Sequence, residues 1–187
     1  HTPVFDDQGN EVDNEKCPFC RTQFPTSEEE AVEWLNRLVK KDNPIAIHNI
    51  GNYYRDGRNG YPKDHTKALE MWHRAGELGY PEAYTSIGYS YDHGIGVEVD
   101  ETKATDYYER AAMGGNEVAR YNLGIDEEDA GNMDRALKHH MIAVRGGLTD
   151  SLKAIQKLYS KGHATKDDYM EALQSYQAYL SEIKSKQ

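Results

Sequence analysis

A short sequence pattern returns four times along this chain of 187 residues. It consists of an alanine, an aliphatic residue four positions later and a glycine directly after that. The copies begin 37, 36 and 32 residues apart, and the last is degenerate, with serine for alanine and glutamine for glycine; they start at Ala46, Ala83, Ala119 and Ser151. A repeat of this length is the sequence signature of a solenoid or another repeat array.

Each copy predicts two helices joined by a turn-rich linker. In the first copy, apolar residues recur at helical spacing from about Pro44 to Asp56. Asp64 is placed to cap a second helix, and that helix is expected to end at Gly79, because glycine can adopt the left-handed conformation there. A second alanine anchor marks the second helix of every copy: Ala68, Ala104, Ala136 and Ala172. The third copy is shorter by four residues between its two anchors, which indicates a shortened loop.

A single helical hairpin of this kind cannot bury its apolar face, so the hairpins are expected to stack. We therefore predict an all-α fold, a right-handed α/α superhelical solenoid of four helix-hairpin repeats with an N-terminal capping helix. The predicted segments are an irregular stretch at 1–25, a capping helix at 26–42 that begins with the capping box Ser27–Glu30, and repeats at about 43–79, 80–115, 116–147 and 148–187. Large aromatic residues are expected to fill the space between the helices: Tyr54, Trp72, Tyr91, Tyr108 and Tyr176.

Composition narrows the choice of partners. Acidic residues outnumber basic ones 32 to 22, for a formal net charge of -10, and this charge would repel nucleic acid and anionic membranes. No apolar run approaches the 18 residues or so of a membrane span. With two cysteines close together and no N-x-S/T sequon, we expect an intracellular location, cytoplasmic or nuclear. A protein or peptide is the expected partner, and the oligomeric state is left open.

The combined pattern A-x-x-x-[IL]-G-x-x-Y, followed by x-G-x-G-V-x-x-D-x-x-K-A-x-x-x-Y-x-x-A-A-x-x-G, resembles the Sel-1-like repeat family, which is related to tetratricopeptide repeats. The resemblance covers about residues 43–180, and the second copy, from Ala83 to Gly115, matches nearly throughout. The third copy departs from it at Glu127, where the other copies have tyrosine. The resemblance implies a non-catalytic scaffold or adaptor that binds proteins along a curved surface, so we do not expect an enzyme.

Cysteine usage separates this chain from one group of similar proteins. Bacterial secreted relatives with a disulfide in each repeat have been associated with penicillin binding, but this chain has no cysteine after Cys20. The segment Cys17-Pro18-Phe19-Cys20-Arg21 instead resembles the last ligand pair of a RING finger. Two interpretations stay open. The chain is the recognition arm of a RING-type ubiquitin ligase whose RING is mostly missing from this chain, or the two cysteines are a thiol pair without metal.

The metal prediction for this segment is limited by the number of ligands. A structural zinc site needs four ligands, and Cys17 and Cys20 supply only two. We therefore expect no cofactor, and zinc only if further ligands lie upstream or in another chain. The neighbouring histidines His139 and His140 point to different faces of one helix, so they do not predict a metal pair.

Binding in a concave groove is predicted by analogy with related helical arrays, in which the first helix of each pair lines the concave face. The groove positions lie three before and one after each repeat glycine: His48, Asn52, Thr85, Tyr89, Tyr121, Ile125, Lys153 and Lys157. The alternative is that the tyrosines and the isoleucine simply cover the adjacent helix. If the partner binds in this groove, Tyr89→Ala combined with Tyr121→Ala should abolish partner binding and leave thermal stability nearly unchanged.

An acidic run near a helix C-terminus is the second candidate site. Asp126, Glu127, Glu128 and Asp129 oppose the helix dipole there, and one of them stands at a tyrosine position. A sequence that breaks a local rule can do so for function. The run is either an acidic docking patch for a basic peptide or a solvated edge tolerated after the loop deletion.

Overall fold

The computed structural model describes residues 4–5, 11–12, 25 and 27–185. Near the N-terminus, β1 (Val4–Phe5) pairs antiparallel with β2 (Glu11–Val12), and Val4 lies opposite Val12. The sequence pattern does not predict this two-residue pairing, because strands of this length carry no recognisable alternation. Cys17 and Cys20 lie outside the described residues.

All regular structure between residues 27 and 185 is helical. The helices of this part are α1 (Glu28–Val39), α2 (Pro44–Asp56), α3 (His65–Glu77), α4 (Pro81–His93), α5 (Glu101–Met113), α6 (Glu117–Asp129), α7 (Met133–Arg145), α8 (Thr149–Ser160) and α9 (Lys166–Ser185).

Local capping explains where most of these helices begin and end. The Ser27 hydroxyl accepts a hydrogen bond from the Glu30 amide at 3.2 Å, as the predicted capping box requires. The Asp64 carboxylate accepts one from the Lys67 amide at 3.0 Å, and Asp100 does the same for α5. After the second helices of the first three repeats, glycines take positive φ angles of 87°, 91° and 87°: Gly79, Gly115 and Gly147.

The helices pack as a linear series of hairpins. The helices of each pair lie together, α2 on α3, α4 on α5 and α6 on α7, and successive pairs pack through α3 on α4, α5 on α6 and α7 on α8. Helix α1 packs on α2 at the N-terminal end. The predicted all-α solenoid of helical hairpins is confirmed.

Within the first three hairpins, the two helices approach closely where a glycine faces an aromatic ring. A Cβ atom built on that glycine would lie 2.5 to 2.8 Å from the ring, a distance that real Cβ atoms essentially never show. The pairs are Gly51 with Trp72, Gly88 with Tyr108 and Gly124 with His140. The small residue of the repeat pattern is therefore required by packing between the helices.

The fourth hairpin departs from this packing. Gln156 replaces the glycine and is exposed, and Tyr176 stands at the aromatic position. Helix α9 instead packs against both α7 and α8, and the Tyr179 ring covers Gly147. At 20 residues, α9 is also the longest helix of the described part of the chain.

Candidate functional site

A cleft with a cavity volume of about 360 Å³ lies along the first helices of the hairpins. Helix α2 contributes Arg55, α4 contributes Thr85 and Tyr89, and α6 contributes Tyr121 together with Val118. Asp150, in the first turn of α8, lines the cleft at its other end. The cleft thus draws on all four hairpins, and it includes three of the eight groove residues predicted from the sequence.

Two large apolar side chains of the cleft are exposed to solvent. Tyr89 is 44% exposed and Val118 is 41% exposed. The Tyr89 ring stacks on the ring of His93, one helical turn further along α4, with 4.0 Å between the ring centroids. This stacking fixes the orientation of Tyr89 before any ligand arrives, which lowers the entropy lost on binding.

Tyr121 and Thr85 have structural contacts as well as a place in the cleft. The Tyr121 ring lies 5.4 Å from the buried His140 ring, and Tyr121 is half-buried. The Thr85 hydroxyl donates to the Asn116 side-chain oxygen at 3.0 Å, which links α4 to the start of the third hairpin. Substitutions at these two positions are therefore expected to change stability as well as binding.

His48 and Asn52 belong to a chain of hydrogen bonds between the first two hairpins. The Trp72 indole N–H donates to the Asn52 oxygen at 3.2 Å, and the Asn52 amide donates to His48 Nδ1 at 3.5 Å. His48 Nε2–H then donates to the Ser86 hydroxyl at 3.0 Å, which donates to the Glu82 carbonyl at 3.2 Å. In this arrangement His48 Nε2 carries its hydrogen and cannot take one from Ser86, so the pair is not arranged as a base and a nucleophile.

Burial is the main reason why the pKa of His48 is low. Together with the nearby positive charge of Arg55, it lowers that pKa to about 4. The ring is therefore neutral at physiological pH, as the hydrogen-bond chain requires. These two predicted groove residues face the junction between hairpins, and both are half-buried.

The predicted basic end of the groove is paired with acids. Lys153 contacts Asp150 at 2.8 Å on the same helix, and Lys157 contacts Glu128 of the preceding hairpin at 2.9 Å. These hydrogen bonds are the main reason why the pKa of each lysine is raised. Ile125, the remaining predicted groove residue, is half-buried in α6.

Three of the four acids in the predicted acidic patch have partners inside the protein. Asp126 accepts a hydrogen bond from Thr105 at 3.3 Å, and burial raises the pKa of Asp126. Glu127 contacts Arg135 at 2.6 Å. Glu128 contacts the buried His140 at 3.2 Å as well as Lys157.

Glu128 is the least accessible acid of the patch for which an ion pair is described. Its side chain is only 9% exposed. Burial acts to raise the pKa of Glu128, but the hydrogen bonds from Lys157 and His140 outweigh burial and lower it. Asp129 is the one exposed member, and two of the four acids, Glu127 and Glu128, are paired with cations of the protein. Docking of a basic peptide here stays a prediction.

Several cleft residues lie outside the eight predicted positions. The sequence argument took the positions three before and one after each repeat glycine. Ser86 and Asn122 instead stand two before the glycine, and Arg55 stands four after it. These positions lie on the same broad helix face as the predicted ones, since each residue turns the helix by about 100°. A wider set of repeat positions would have found them.

Two further features of the described residues bear on function. Among residues 27–185, no three histidine, aspartate or glutamate side chains converge as a metal site would require. None of the described helices combines the length and the apolar character needed to cross a bilayer.

Comparison with known families identifies the repeat. Residues 44–80 and 81–116 match the family described as Sel1 repeat. The first two hairpins are thus similar to Sel1 repeats. The two matched segments correspond to α2–α3 and α4–α5.

One relative is named as a component of a ubiquitin ligase. The ERAD-associated E3 ubiquitin-protein ligase component HRD3B of Arabidopsis thaliana is 35% identical over 99 residues, which is 52% of this chain and 15% of that protein. The chain therefore spans only a small part of this relative. Sel1 repeat proteins act in general as protein-interaction scaffolds without catalytic activity.

Two solved structures extend the likeness beyond the first two hairpins. A Sel1 repeat protein from Oxalobacter formigenes is 28% identical with a TM-score of 0.71, over 82% of this chain and 64% of that one. A protective antigen of uropathogenic Escherichia coli with an SLR fold is 27% identical with a TM-score of 0.66, over 81% of this chain and 33% of that one. The resemblance of Cys17–Arg21 to a RING finger stays a prediction.

Proposed function

We propose that this chain is a non-catalytic scaffold that binds a peptide segment of a protein partner in the cleft along α2, α4, α6 and α8. The exposure of Tyr89 in the cleft is the observation that carries the proposal. An aromatic side chain held in place by His93 and left open to solvent is the kind of anchor on which protein interfaces depend most.

The arrangement of the cleft supports a peptide rather than a small molecule. Its side chains come from all four hairpins, so the binding surface is extended along the array. Apolar side chains such as Val118 alternate with hydrogen-bonding groups such as Thr85 and Asn122, which suits a chain that presents both side chains and backbone amides. The scaffold role of other Sel1 repeat proteins agrees with this proposal.

The test is selection of peptides that bind the full chain, followed by calorimetry with variants. Peptides are selected from a random phage-displayed library on immobilised protein. We expect Tyr89→Ala to weaken the selected peptides at least tenfold while the melting temperature changes little. Met113→Ala is the matched control, because Met113 is exposed at the end of α5 and lies outside the cleft. Equal binding by both variants would place the site elsewhere.

A second candidate function is supported by the similarity to HRD3B. We propose as the alternative that the chain belongs to a ubiquitin ligase as its recognition arm. Elemental analysis of the protein expressed from its natural start codon tests the RING part of this alternative. Two zinc ions per chain are expected if a RING finger includes Cys17 and Cys20, and the absence of zinc would count against it.

The proposed intracellular location, cytoplasmic or nuclear, is supported only by the composition of the chain. Its two cysteines and its lack of sequons fit a reducing compartment. Imaging of the tagged full-length protein in its native cell tests it.

A further inference from the structure

We propose that the partner segment is acidic. It is an extended peptide that places one bulky apolar side chain between Tyr89 and Tyr121 and carboxylates near Arg55 at one end and Lys153 and Lys157 at the other. This inference rests on the proposed function and adds the chemistry of the partner.

Each of the two cleft tyrosines has basic side chains close by. Tyr89 and Arg55 line the same cleft, and the Arg55 guanidinium contacts the Asp56 carboxylate at 2.8 Å. Tyr121 lines the cleft together with Asp150, which contacts Lys153 at 2.8 Å, and Lys157 stands one helical turn further along α8. An apolar contact between the tyrosines would therefore have cations on both sides.

The cations at the two ends of the cleft, Arg55 within it and Lys153 and Lys157 next to Asp150 on α8, are more accessible than the acids paired with them. Lys153 and Lys157 are 70% and 54% exposed, whereas Glu128 is almost buried. Arg55 is more exposed than its partner Asp56. Ion pairs at exposed positions are weak and screened by salt, so a carboxylate of the partner can join or replace the resident acid.

Asp150 is an exposed acid whose charge disfavours an acidic peptide. It lines the cleft and forms an ion pair with Lys153. Its negative charge lowers the attraction for an acidic ligand, so removing that charge should strengthen binding. This expectation separates recognition of an acidic peptide from simple burial of an apolar side chain, because the latter does not depend on Asp150.

The net negative charge of the whole chain contrasts with the basic side chains at the ends of the cleft. The formal net charge is -10, so an acidic peptide is repelled by most of the surface and attracted where Arg55, Lys153 and Lys157 lie. Such a contrast favours binding at one place and in one orientation.

The test uses three pools of fluorescein-labelled peptides about ten residues long, a length that spans four packed helices. All pools have leucine, phenylalanine or tyrosine at the centre. The flanks are rich in Asp and Glu in the first pool, in Lys and Arg in the second, and in Asn and Gln in the third. Binding to the full chain is measured by fluorescence anisotropy at low and moderate salt.

We expect the acidic pool to bind most tightly and to weaken as salt rises. Lys153→Gln and Lys157→Gln should each weaken the acidic pool about two- to fivefold, and Asp150→Asn should tighten it by a similar factor. Lys138→Gln is the matched control, since Lys138 is an exposed lysine on α7 outside the cleft. Because Lys157 also pairs with Glu128, its variant is checked by thermal melting, and Lys153→Gln serves as the readout if that variant unfolds.

The outcomes separate this inference from the proposed function. Equal or tighter binding of the basic or neutral pool, with Tyr89→Ala still disruptive, would overturn the acidic preference and leave the cleft as the binding site. If no pool binds, or if Tyr89→Ala binds every pool as well as the unmodified chain does, both proposals fail.

Discussion

Arg135 and Glu127 form an ion pair of 2.6 Å at a place where the first two repeats have a lysine over a tyrosine ring. In those repeats, Lys67 lies 5.4 Å from the centre of the Tyr54 ring, and Lys103 lies 5.2 Å from that of Tyr91. The cation is kept at the start of the second helix while its partner changes from an aromatic ring to a carboxylate. The acid at the tyrosine position is thus explained by packing within the third hairpin.

Glu127→Ala should destabilise the protein by about 1 to 2 kcal/mol. The substitution removes the contact with Arg135 and the hydrogen bond of 2.8 Å that the Asn132 side-chain amide donates to the Glu127 carboxylate. Both contacts hold the shortened loop in place. Urea unfolding followed by circular dichroism measures the effect. Asp129→Ala, two residues along and exposed, is the control and should change stability by less than about 0.5 kcal/mol. Equal effects of the two variants would show that the loop does not depend on Glu127.

Ser151→Ala should stabilise the fourth hairpin by about 1 kcal/mol. Ser151 is fully buried, and its hydroxyl has no hydrogen-bond partner among the described residues. A buried hydroxyl without a partner costs free energy that alanine avoids. The three equivalent positions are buried alanines: Ala46, Ala83 and Ala119.

The control for Ser151 is Ser86→Ala in the second hairpin. Its hydroxyl bonds both His48 and the Glu82 carbonyl, so this variant should lose about 1 kcal/mol. Thermal melting of both variants gives the comparison, and a loss of stability in Ser151→Ala would mean that its hydroxyl is satisfied.

Gly88→Ala should destabilise the protein by more than about 2 kcal/mol. Its Cβ would lie 2.8 Å from the Tyr108 ring and 3.1 Å from the Ala104 carbonyl, so α4 and α5 must move apart. The control is Gln156→Ala at the equivalent position of the fourth hairpin, which already accommodates a Cβ and should be close to neutral. Chemical denaturation of both variants measures the difference, and a neutral Gly88→Ala would contradict the close approach of the helices.

Stability should fall as the pH is lowered from about 6.5 to 4. The pKa of His48 is about 4 in the folded protein and 6.5 without burial, so the unfolded state binds more protons in this window. The free energy of unfolding is therefore fully retained above pH 6.5 and lost progressively toward pH 4, by up to about 3 kcal/mol. Burial also lowers the pKa of His140 and adds a loss of the same sign.

Urea unfolding at several pH values, with His48→Gln for comparison, isolates the contribution of His48. The variant should be less stable at pH 7, because the bond to Ser86 is disturbed, and should lose less stability on acidification. Parallel pH curves for the variant and the unmodified chain would show that His48 does not titrate as described.

The hairpins could be predicted from the sequence because the signals are local and repeated. The alanine and glycine anchors, the Asp64 cap and the glycine at position 79 each act within a few residues. The pairing of Glu128 with Lys157 could not be predicted in this way, since the two residues lie in different hairpins and meet only when those hairpins pack together.

The cleft was predicted only in part for a geometric reason. One pair of positions per helix traces a narrow stripe, whereas the cleft uses a broad face and reaches Val118 and Asp150 at the helix starts. His48 fell on the stripe but faces Ser86 of the next hairpin. The repeat pattern gives the helix face and not the side-chain orientation at each junction.

The central claim is that the cleft along the first helices binds the partner peptide. Chemical-shift mapping of the labelled protein, of 21.3 kDa, during titration with a selected peptide tests it most directly. We predict that the largest shifts occur at Tyr89, Val118 and Tyr121 and saturate together. Shifts centred instead on Leu137 and Ile142, in the separate cleft between α7 and α9, would contradict the claim.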